Sequence, residues 1–488
     1  VDVTVFTGVP DGVPSSPGDG PSAAAHVFDS PDVPADPHAL SVLTRATAQA
    51  DLAAAPVVLP DFHHKDDLEM PSSIAVATLG TIRPEFTSAS VNCGMALMAM
   101  DMDVPGEATL RRFFDEVRGR YPHPPGWRRE LSIQDVLDCA EQGAEFGIER
   151  YGLQPEALER IEEGGRLALD PYGGVQRLRR ELPSLSFHVS RLRFGTIGPS
   201  NHFVELQMVD EILDPQAAQA LGVAAGQMTL QYHCGGGQLT GQVGRLFARR
   251  KKMSKPLALT MATGRPLAHL ASARSLSQLR QRLDLYFTGG CPTIEVDGPE
   301  GERVLLANAA AMNYGFAFRT ATYGTLSTLA RDVFGARDVN LVVDSPHNSI
   351  YEEQVGGQRA FVHRHNSCRA YPASMMPQGT AFGTVGQALL VPGTHRTSSY
   401  LCVAADGADQ SLYSACHGAG TLISQYESSG RSGPDPRHRS TLRFRYRQDE
   451  PTAVPQLDDR GVDEALAILT RSKLVRPVAR LHPVAVLS

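Results

Sequence analysis

Ser414-Ala415-Cys416-His417-Gly418-Ala419-Gly420, followed by Thr421, is the stretch on which the reading of this chain turns. A histidine among small residues sits on a tightly curved backbone, where little but Gly and Ala would let a bulky ligand approach the main chain. Such a histidine can act as a nucleophile. It can equally be a buried turn residue whose ring bonds a neighbouring carbonyl, and the rest of the chain has to decide between the two.

Working outward, the chain of 488 residues is 42% hydrophobic and 20% charged, the profile of a globular protein with a large core. With 46 basic against 53 acidic residues the net charge is -7, so bulk attraction to nucleic acid is not indicated. Any polyanion would have to be held by a local patch. The longest apolar runs, such as Ala53 to Leu59 and Ala388 to Pro392, fall far short of the roughly 18 to 20 residues that span a bilayer. Seven scattered cysteines fit a reducing compartment better than a disulfide scaffold, and Val1-Asp2-Val3-Thr4-Val5-Phe6 lacks the basic start and apolar middle of a secretory signal. The expected location is the cytoplasm.

Residues 1 to 6 alternate like a strand, and Gly8 to Pro37 is rich in Pro, Gly, Ser and Asp, the composition of a flexible loop or arm. Leu40, Leu43, Ala46, Ala50 and Ala53 recur at helical spacing, which predicts a helix from Pro37 to Ala55. The short strand Val57-Val58-Leu59 then delivers Pro60-Asp61-Phe62-His63-His64 to a loop, either a polar site at a strand end or solvated surface. Residues 106 to 182 read as charge-rich helices interrupted by Tyr121-Pro122-His123-Pro124-Pro125, a peripheral helical insertion with Trp127 anchoring its packing. Toward the end, Val462 to Leu469 reads as a helix and Val475 to Leu487 as a closing strand pair. There is no phosphate loop ending in Lys-Ser/Thr, no CxxC pair and no GxSxG elbow.

Three times a histidine stands at one end of a β-like run beside Gly, Ser or Pro. Gly195-Thr196-Ile197-Gly198-Pro199-Ser200-Asn201-His202 opens a strand carrying Glu205, with His202 expected to point away from Asn201; Met228 to Tyr232 ends at His233-Cys234-Gly235-Gly236-Gly237; Leu341 to Asp344 runs into Ser345-Pro346-His347-Asn348. Cys93, in Val91-Asn92-Cys93-Gly94, is either a small buried hydrophobe or a thiolate ligand. Recurring histidines at strand ends beside such a cysteine have the composition of a borderline divalent metal site.

In this order and spacing, Asn92-Cys93-Gly94, Asn201-His202-Phe203, His347-Asn348, Val362-His363-Arg364, Pro392-Gly393 and His417-Gly418-Ala419-Gly420 resemble the successive motifs of the RtcB family of RNA-splicing ligases. The resemblance implies one large α+β domain over 1–488, with a β-rich core and peripheral helices. It implies Mn²⁺ ions held by Cys93, His202, His233 and His347, with Cys93 as a bridging thiolate. It implies GTP as the nucleotide, His417 as the guanylylated nucleophile, and a nucleotide site lined by Asn201, Phe203 and Glu205 with Ser399 and Ala419 beside it. A guanylate then activates an RNA 3′-phosphate for attack by a 5′-hydroxyl. The residue types suit this chemistry, since a thiolate can bridge two ions and a neutral imidazole can take a nucleotidyl group.

The sequence departs from the family at several places. Ser90 stands where the family has a carboxylate ligand, Gly237 and Thr421 where it has arginines, and His365 where it has a lysine; the Ala-Tyr-Lys-Asp run falls on Asp458 to Gly461, and the terminal lysine falls on or beyond Ser488. At about 1.5 to 3 kcal/mol for a hydrogen bond to a charged group, losing even two such cations weakens binding of an RNA end roughly a hundredfold. Arg364, Arg369 and Arg396 are candidate replacements. Three readings follow: nucleotidyl transfer through a covalent histidine to a non-standard, small-molecule acceptor; a GTP- and Mn²⁺-dependent RNA ligase with compensating contacts; or an inactive binding protein. Retention of the Cys/His set together argues against the last.

Overall fold

The structure, a computed structural model, describes residues 4–5, 24–65, 68–122, 130–197, 201–248, 255–287 and 291–488. Most of the expected arm, Trp127, most of the interrupting Tyr121–Pro125 run and Gly198-Pro199-Ser200 lie outside the described residues. In chain order the elements that matter for the site are β1 (Val57–His63), β2 (Ser72–Thr78) and β3 (Gly94–Met100), then helices α1 (Glu107–Arg120), α2 (Ile133–Gln142) and α3 (Ala144–Tyr151). They continue with β4 (Phe203–Ile212), β5 (Met228–Cys234), α4 (Gly237–Phe247), α5 (Lys255–Ala271), α6 (Leu276–Phe287) and α7 (Pro299–Leu329). Last come β6 (Val339–Pro346), β7 (Asn348–Val355), β8 (Gln358–His365), β9 (Ala388–Val391), β10 (Ser399–Ala404), α8 (Gly420–Ser428), β11 (Thr441–Arg445), β12 (Gln448–Val454), α9 (Arg460–Arg471) and β13 (Val475–Leu487).

Two sheets carry the fold, as α+β implies. The larger runs β6-β3-β5-β4-β13-β10-β9, with β11 parallel to the end of β13 and β12 folded back on β11. The smaller runs Thr4–Val5, His26–Val27, β1, β2, β8, β7. On one face of the larger sheet lies α7, whose residues from Val304 to Gly324 are all buried. Between Val304 and Gly324 no face of α7 meets water, and its amides bond within the protein: Asn313 donates to the Ala140 and Leu167 carbonyls, and Asn308 to that of Ile350.

Three expectations change at this level. The helices of the 106 to 182 segment form, but they are not peripheral. Phe113, Phe114, Val136, Leu137 and Ile148 share one hydrophobic cluster with Met312 and Phe316 of α7 and with Leu206 and Leu230 of the sheet. The close fit has a local cause, since a Cβ on Gly147 would stand 2.8 Å from Thr320 and one on Gly324 2.8 Å from Tyr151. The closing pair is a single strand, β13, which absorbs irregularities between Arg480 and Leu481 and between Pro483 and Ala485 while pairing with β4. The first helix runs only from Pro37 to Thr47, capped by the Asp36 side chain. Among the described residues no helix is long and apolar enough to cross a membrane.

Candidate functional site

The sheet register assembles the site. Gly94 pairs with Cys234 and with Pro346, so Cys93 lies beside both the end of β5 and the residue after β6. His347 N–H donates to the Cys93 carbonyl at 2.9 Å, and Asn92 N–H to the Asn348 carbonyl at 2.9 Å. Phe203 pairs with His233, which brings the Asn201-His202 turn alongside. The strand starts at Phe203, so His202 and Asn201 belong to the preceding turn and not to opposite faces of a strand. Ser367–Arg369 pairs with Ser414–Cys416, and Ser367 N–H donates to the His347 carbonyl, which carries His417 to His347.

The result is one cluster in which Cys93, His233 and His347 are buried and His202 and His417 half-buried. Cys93 Sγ lies 3.3 Å from His233 Nε2 and 3.5 Å from His202 Nε2. The His347 and His417 rings stack at 3.6 Å with planes 7° apart, and His233 lies between the two groups, 5.1 Å from His347 and 5.5 Å from His417 by ring centroids. Ligand-type atoms of Cys93, His202 and His233 lie within 4.8 Å of one another, as do those of His233, His347 and His417. His233 Nδ1–H donates to the Asn201 carbonyl at 3.0 Å, which fixes the tautomer and leaves Nε2 as a lone-pair donor.

Burial sets the protonation states. It holds His233 and His347 well below the ordinary imidazole range, with neighbouring imidazoles adding to the effect, and lowers His417 to about 3 with help from Lys65 and His365. Burial also raises the Cys93 thiol to about 11. These are neutral imidazoles around a sulfur. The buried Nδ1 atoms of His347 and His417 have no hydrogen-bond partner. A buried thiol and several neutral imidazoles, two of them with an orphaned nitrogen, fit a borderline divalent cation. No carboxylate belongs to either group of ligands among the described residues. Ser90 takes the expected carboxylate's place, and its carbonyl accepts from Cys93 N–H at 3.1 Å.

The remaining expected residues divide. Phe203 has its ring 5.8 Å from His233. Glu205 lies two residues on, on the same face of β4; it is buried, accepts from Gln207 Nε2 at 2.7 Å, and burial raises its carboxyl to about 8. Ser399 accepts from Gly393 N–H at 3.0 Å, and Ala419 N–H donates to the Pro392 carbonyl at 3.2 Å, so the 392–399 loop folds onto the His417 loop. Strand β13 separates Ser399 from Glu205.

Two groups of residues lie behind the site, Arg319, which was not singled out from sequence, and Asp61, which was read only as part of a polar run. Arg319 of α7 donates to Asp344 at 2.7 Å and to both the carbonyl and side-chain oxygens of Asn92 at 2.6 Å, which pins the Cys93 loop in its left-handed turn. Asp61, in the run expected to be a loop but lying within strand β1, accepts from Thr421 N–H at 2.8 Å and Leu422 N–H at 3.1 Å, capping α8 directly after the His417 loop. Thr421 Oγ1 lies 3.2 Å from His63 Nδ1.

The three candidate replacement cations are already committed. Arg364 is buried against Glu353 at 2.6 Å, Arg369 pairs with Glu163, and Arg396 pairs with Glu427 at 2.7 Å. Nor does Gly237 leave space for a larger side chain: its φ is +83°, and a Cβ there would stand 2.6 Å from the Phe318 ring.

A single α+β fold brings one sulfur and four imidazoles together, with the histidine of a small-residue loop stacked on the cluster, an arrangement of the kind that can hold a divalent cation. The sequence profile described as tRNA-splicing ligase RtcB matches residues 43–488, and the chain belongs to the RtcB family. It is 26% identical over 453 residues to the tRNA-splicing ligase RtcB of Thermococcus kodakarensis, covering 88% of this chain and 86% of that protein. It is 26% identical over 432 residues to the RNA-splicing ligase RtcB of Mycobacterium tuberculosis, covering 83% and 89%. Against the tRNA-splicing ligase RtcB of Pyrococcus horikoshii the identity is 27% over 417 residues, 81% of this chain, and the match spans only 44% of that longer protein.

Proposed function

We propose that this protein is a nucleotide-dependent ligase in which His417 accepts a nucleotidyl group and passes it to a phosphate-bearing RNA end. The observation that carries this reading is the state of His417: a half-buried, neutral imidazole with a buried, unpartnered Nδ1, on a loop of small residues, stacked on a metal-type ligand. In the first step an imidazole nitrogen attacks the α-phosphorus of GTP, an N–P bond forms, the α–β P–O bond breaks and pyrophosphate leaves. In the second, a 3′-phosphate oxygen displaces His417. In the third, a 5′-hydroxyl attacks the activated phosphate, GMP leaves and a phosphodiester remains. A divalent cation such as Mn²⁺, held by Cys93, His202, His233 and His347, would supply charge neutralisation on the phosphates. Asn201 and Phe203 beside His233, and Ala419 beside His417, would line the nucleotide, with Glu205 further along β4 and Ser399 on the loop that packs against the His417 loop. A Glu205 carboxyl that keeps its proton near neutrality can donate as well as accept there.

Intact mass after incubation with GTP and Mn²⁺ tests the first step. One nucleotide monophosphate should add to the parent protein and not to His417→Ala. No adduct with any of the four nucleoside triphosphates, in protein shown by elemental analysis to carry metal, would refute the reading. A smaller acceptor is favoured by one observation, the replacement of cations at Gly237, His365 and Thr421. Failure to join RNA with 3′-phosphate and 5′-hydroxyl ends, in protein that does form the adduct, would select it. The seven unbridged cysteines support placing the protein in the cytoplasm.

A further inference from the structure

The segment Arg437-His438-Arg439-Ser440-Thr441-Leu442-Arg443-Phe444-Arg445-Tyr446-Arg447 holds five arginines and no acid, in a chain of net charge -7. Its strand, β11, lies on the site's own sheet. Arg443 pairs with Val486, Val486 with Glu205, and Glu205 with Gln231, so Arg443 belongs to the lateral row of the nucleotide-side carboxyl. Phe444, Leu487, Val204 and Tyr232 form the neighbouring row and are buried in the α7 core, which leaves Arg443 and Arg445 on the opposite face, the face of Glu205 and His233. Two strand spacings separate β11 from β4, about 10 Å.

Among the described residues neither Arg443 nor Arg445 has a carboxylate within ion-pair distance. Arg443 donates to the Ser488 hydroxyl at 3.1 Å, and Arg445 is exposed. The two guanidiniums are close enough to repel: burial and then Arg445 lower the basicity of Arg443. His395 faces the same pair, held neutral by burial and then by Arg443, Arg396 and Arg445. Its loop is tied to β11 through Gln456, whose amide reaches both the His395 carbonyl at 3.3 Å and Thr441 Oγ1 at 2.6 Å. That same loop continues through Ser399 and packs on the His417 loop through Pro392. Uncompensated like charges two residues apart on a strand, about 6.6 Å along it, suit a chain of phosphates better than one compact anion.

We propose that Arg443 and Arg445, with His395 beside them, form a subsite for the phosphodiester backbone of single-stranded RNA and lead its end toward His417. This rests on the RNA-end reading of the site. It also answers the loss of arginines and lysine nearer the nucleophile, because the attraction is moved from the terminal phosphate to the strand behind it.

The test is fluorescence anisotropy with a labelled single-stranded RNA bearing a 3′-phosphate, titrated across a salt series with the full chain. The double variant Arg443→Ala/Arg445→Ala should weaken binding by about tenfold per arginine and reduce the slope of log K against log salt by about 1.4, at about 0.7 per contact on a single strand. Arg445→Ala alone, at an exposed position where folding is not at stake, should lose about half of that slope. Arg443→Lys/Arg445→Lys should retain most of it. A parent protein that does not bind the RNA, or variants that keep the parent's slope, overturns the subsite. Intact mass of the parent separates the two claims. A nucleotide adduct without arginine-dependent RNA binding removes the subsite and keeps the chemistry, whereas arginine-dependent binding without an adduct keeps the subsite and removes the chemistry.

Discussion

Arg319 has no exposed surface, yet its guanidinium joins three things: the Asp344 carboxylate, the Asn92 backbone and the Asn92 side chain, one residue before Cys93. A buried pair of this kind adds little net stability compared with an apolar substitute, but removing one partner strands the other. Arg319→Met should therefore cost about 3 to 5 kcal/mol in urea unfolding, and metal content by elemental analysis should fall with it, because Asn92 loses the contacts that hold its left-handed turn. Gly237 and Thr421 make a paired prediction about the missing cations. Gly237→Arg must take a positive φ and displace Phe318 and Tyr314, so it should destabilise by about 1 to 3 kcal/mol and restore no phosphate binding. Thr421→Arg enters a half-buried position beside His63 and should tighten binding of a 3′-phosphate RNA by about tenfold, read by anisotropy. The cluster's histidines were legible because histidines at strand ends beside Gly and Pro are a local pattern. Arg319 was not, since a buried arginine and a surface arginine are spelled the same, and only the tertiary neighbours, Asp344 and Asn92, distinguish them.

At the scale of elements the helix α7 explains most of what the sequence concealed. A helix buried on every side has no polar stripe, so its apolar residues show no period and the 299–329 region gives no amphipathic signal. The strand β13 was divided by Pro477 and Pro483, residues that normally end strands. Here Pro477 pairs opposite Cys402 next to an irregularity, and Pro483 adjoins another, so the ladder continues past both. Helices α5 and α6 are joined to α7 by a buried polar network: Arg282 and Arg303 both pair with Glu300, and His269 stacks on Tyr286 at 3.8 Å. His269 Nε2–H donates to the Leu246 carbonyl and its Nδ1 accepts from Arg303, leaving no site for a second proton. Burial first, and Arg303 next, lower this imidazole to about 2. The unfolded chain, titrating near 6.5, thus binds the extra proton first, and stability present above pH 6.5 is lost as pH falls toward 2. Between pH 6.5 and about 4.5 the loss should be about 2 to 3 kcal/mol. Urea midpoints across that range should fall less steeply in His269→Gln than in the parent, and equal slopes would remove His269 from the acid response.

For the whole molecule, a net charge of -7 averages over a surface that is not uniform, and the sum hides the arginine-rich β11 that faces the site. Summed composition likewise hides how the α1 to α3 region is used. If those helices were an appendage, the two sheets and α7 would form a complete body without them. Instead Phe113, Phe114, Val136, Leu137 and Ile148 belong to the same apolar cluster as Met312, Phe316, Leu206 and Leu230, and Gly147 and Gly324 allow α3 and α7 to approach until Thr320 and Tyr151 close the gaps. Stripping the helices away would expose one side of α7 and leave the Asn313 amide without its Ala140 and Leu167 carbonyls. Each stranded polar contact costs about 1 to 3 kcal/mol, and each large apolar side chain returned to water about 1.5 to 3 kcal/mol. A few such losses equal the 5 to 15 kcal/mol that typically separates folded from unfolded chains. Replacing residues 106–182 by a short Gly/Ser bridge should accordingly yield no soluble folded protein. In the intact chain the far-ultraviolet signal of the helices and the near-ultraviolet signal of the core should be lost at the same urea concentration. Two separated transitions, or a folded shortened chain with its metal site intact, would mean that Arg319 holds the Cys93 loop without the packing of α1 to α3 behind it.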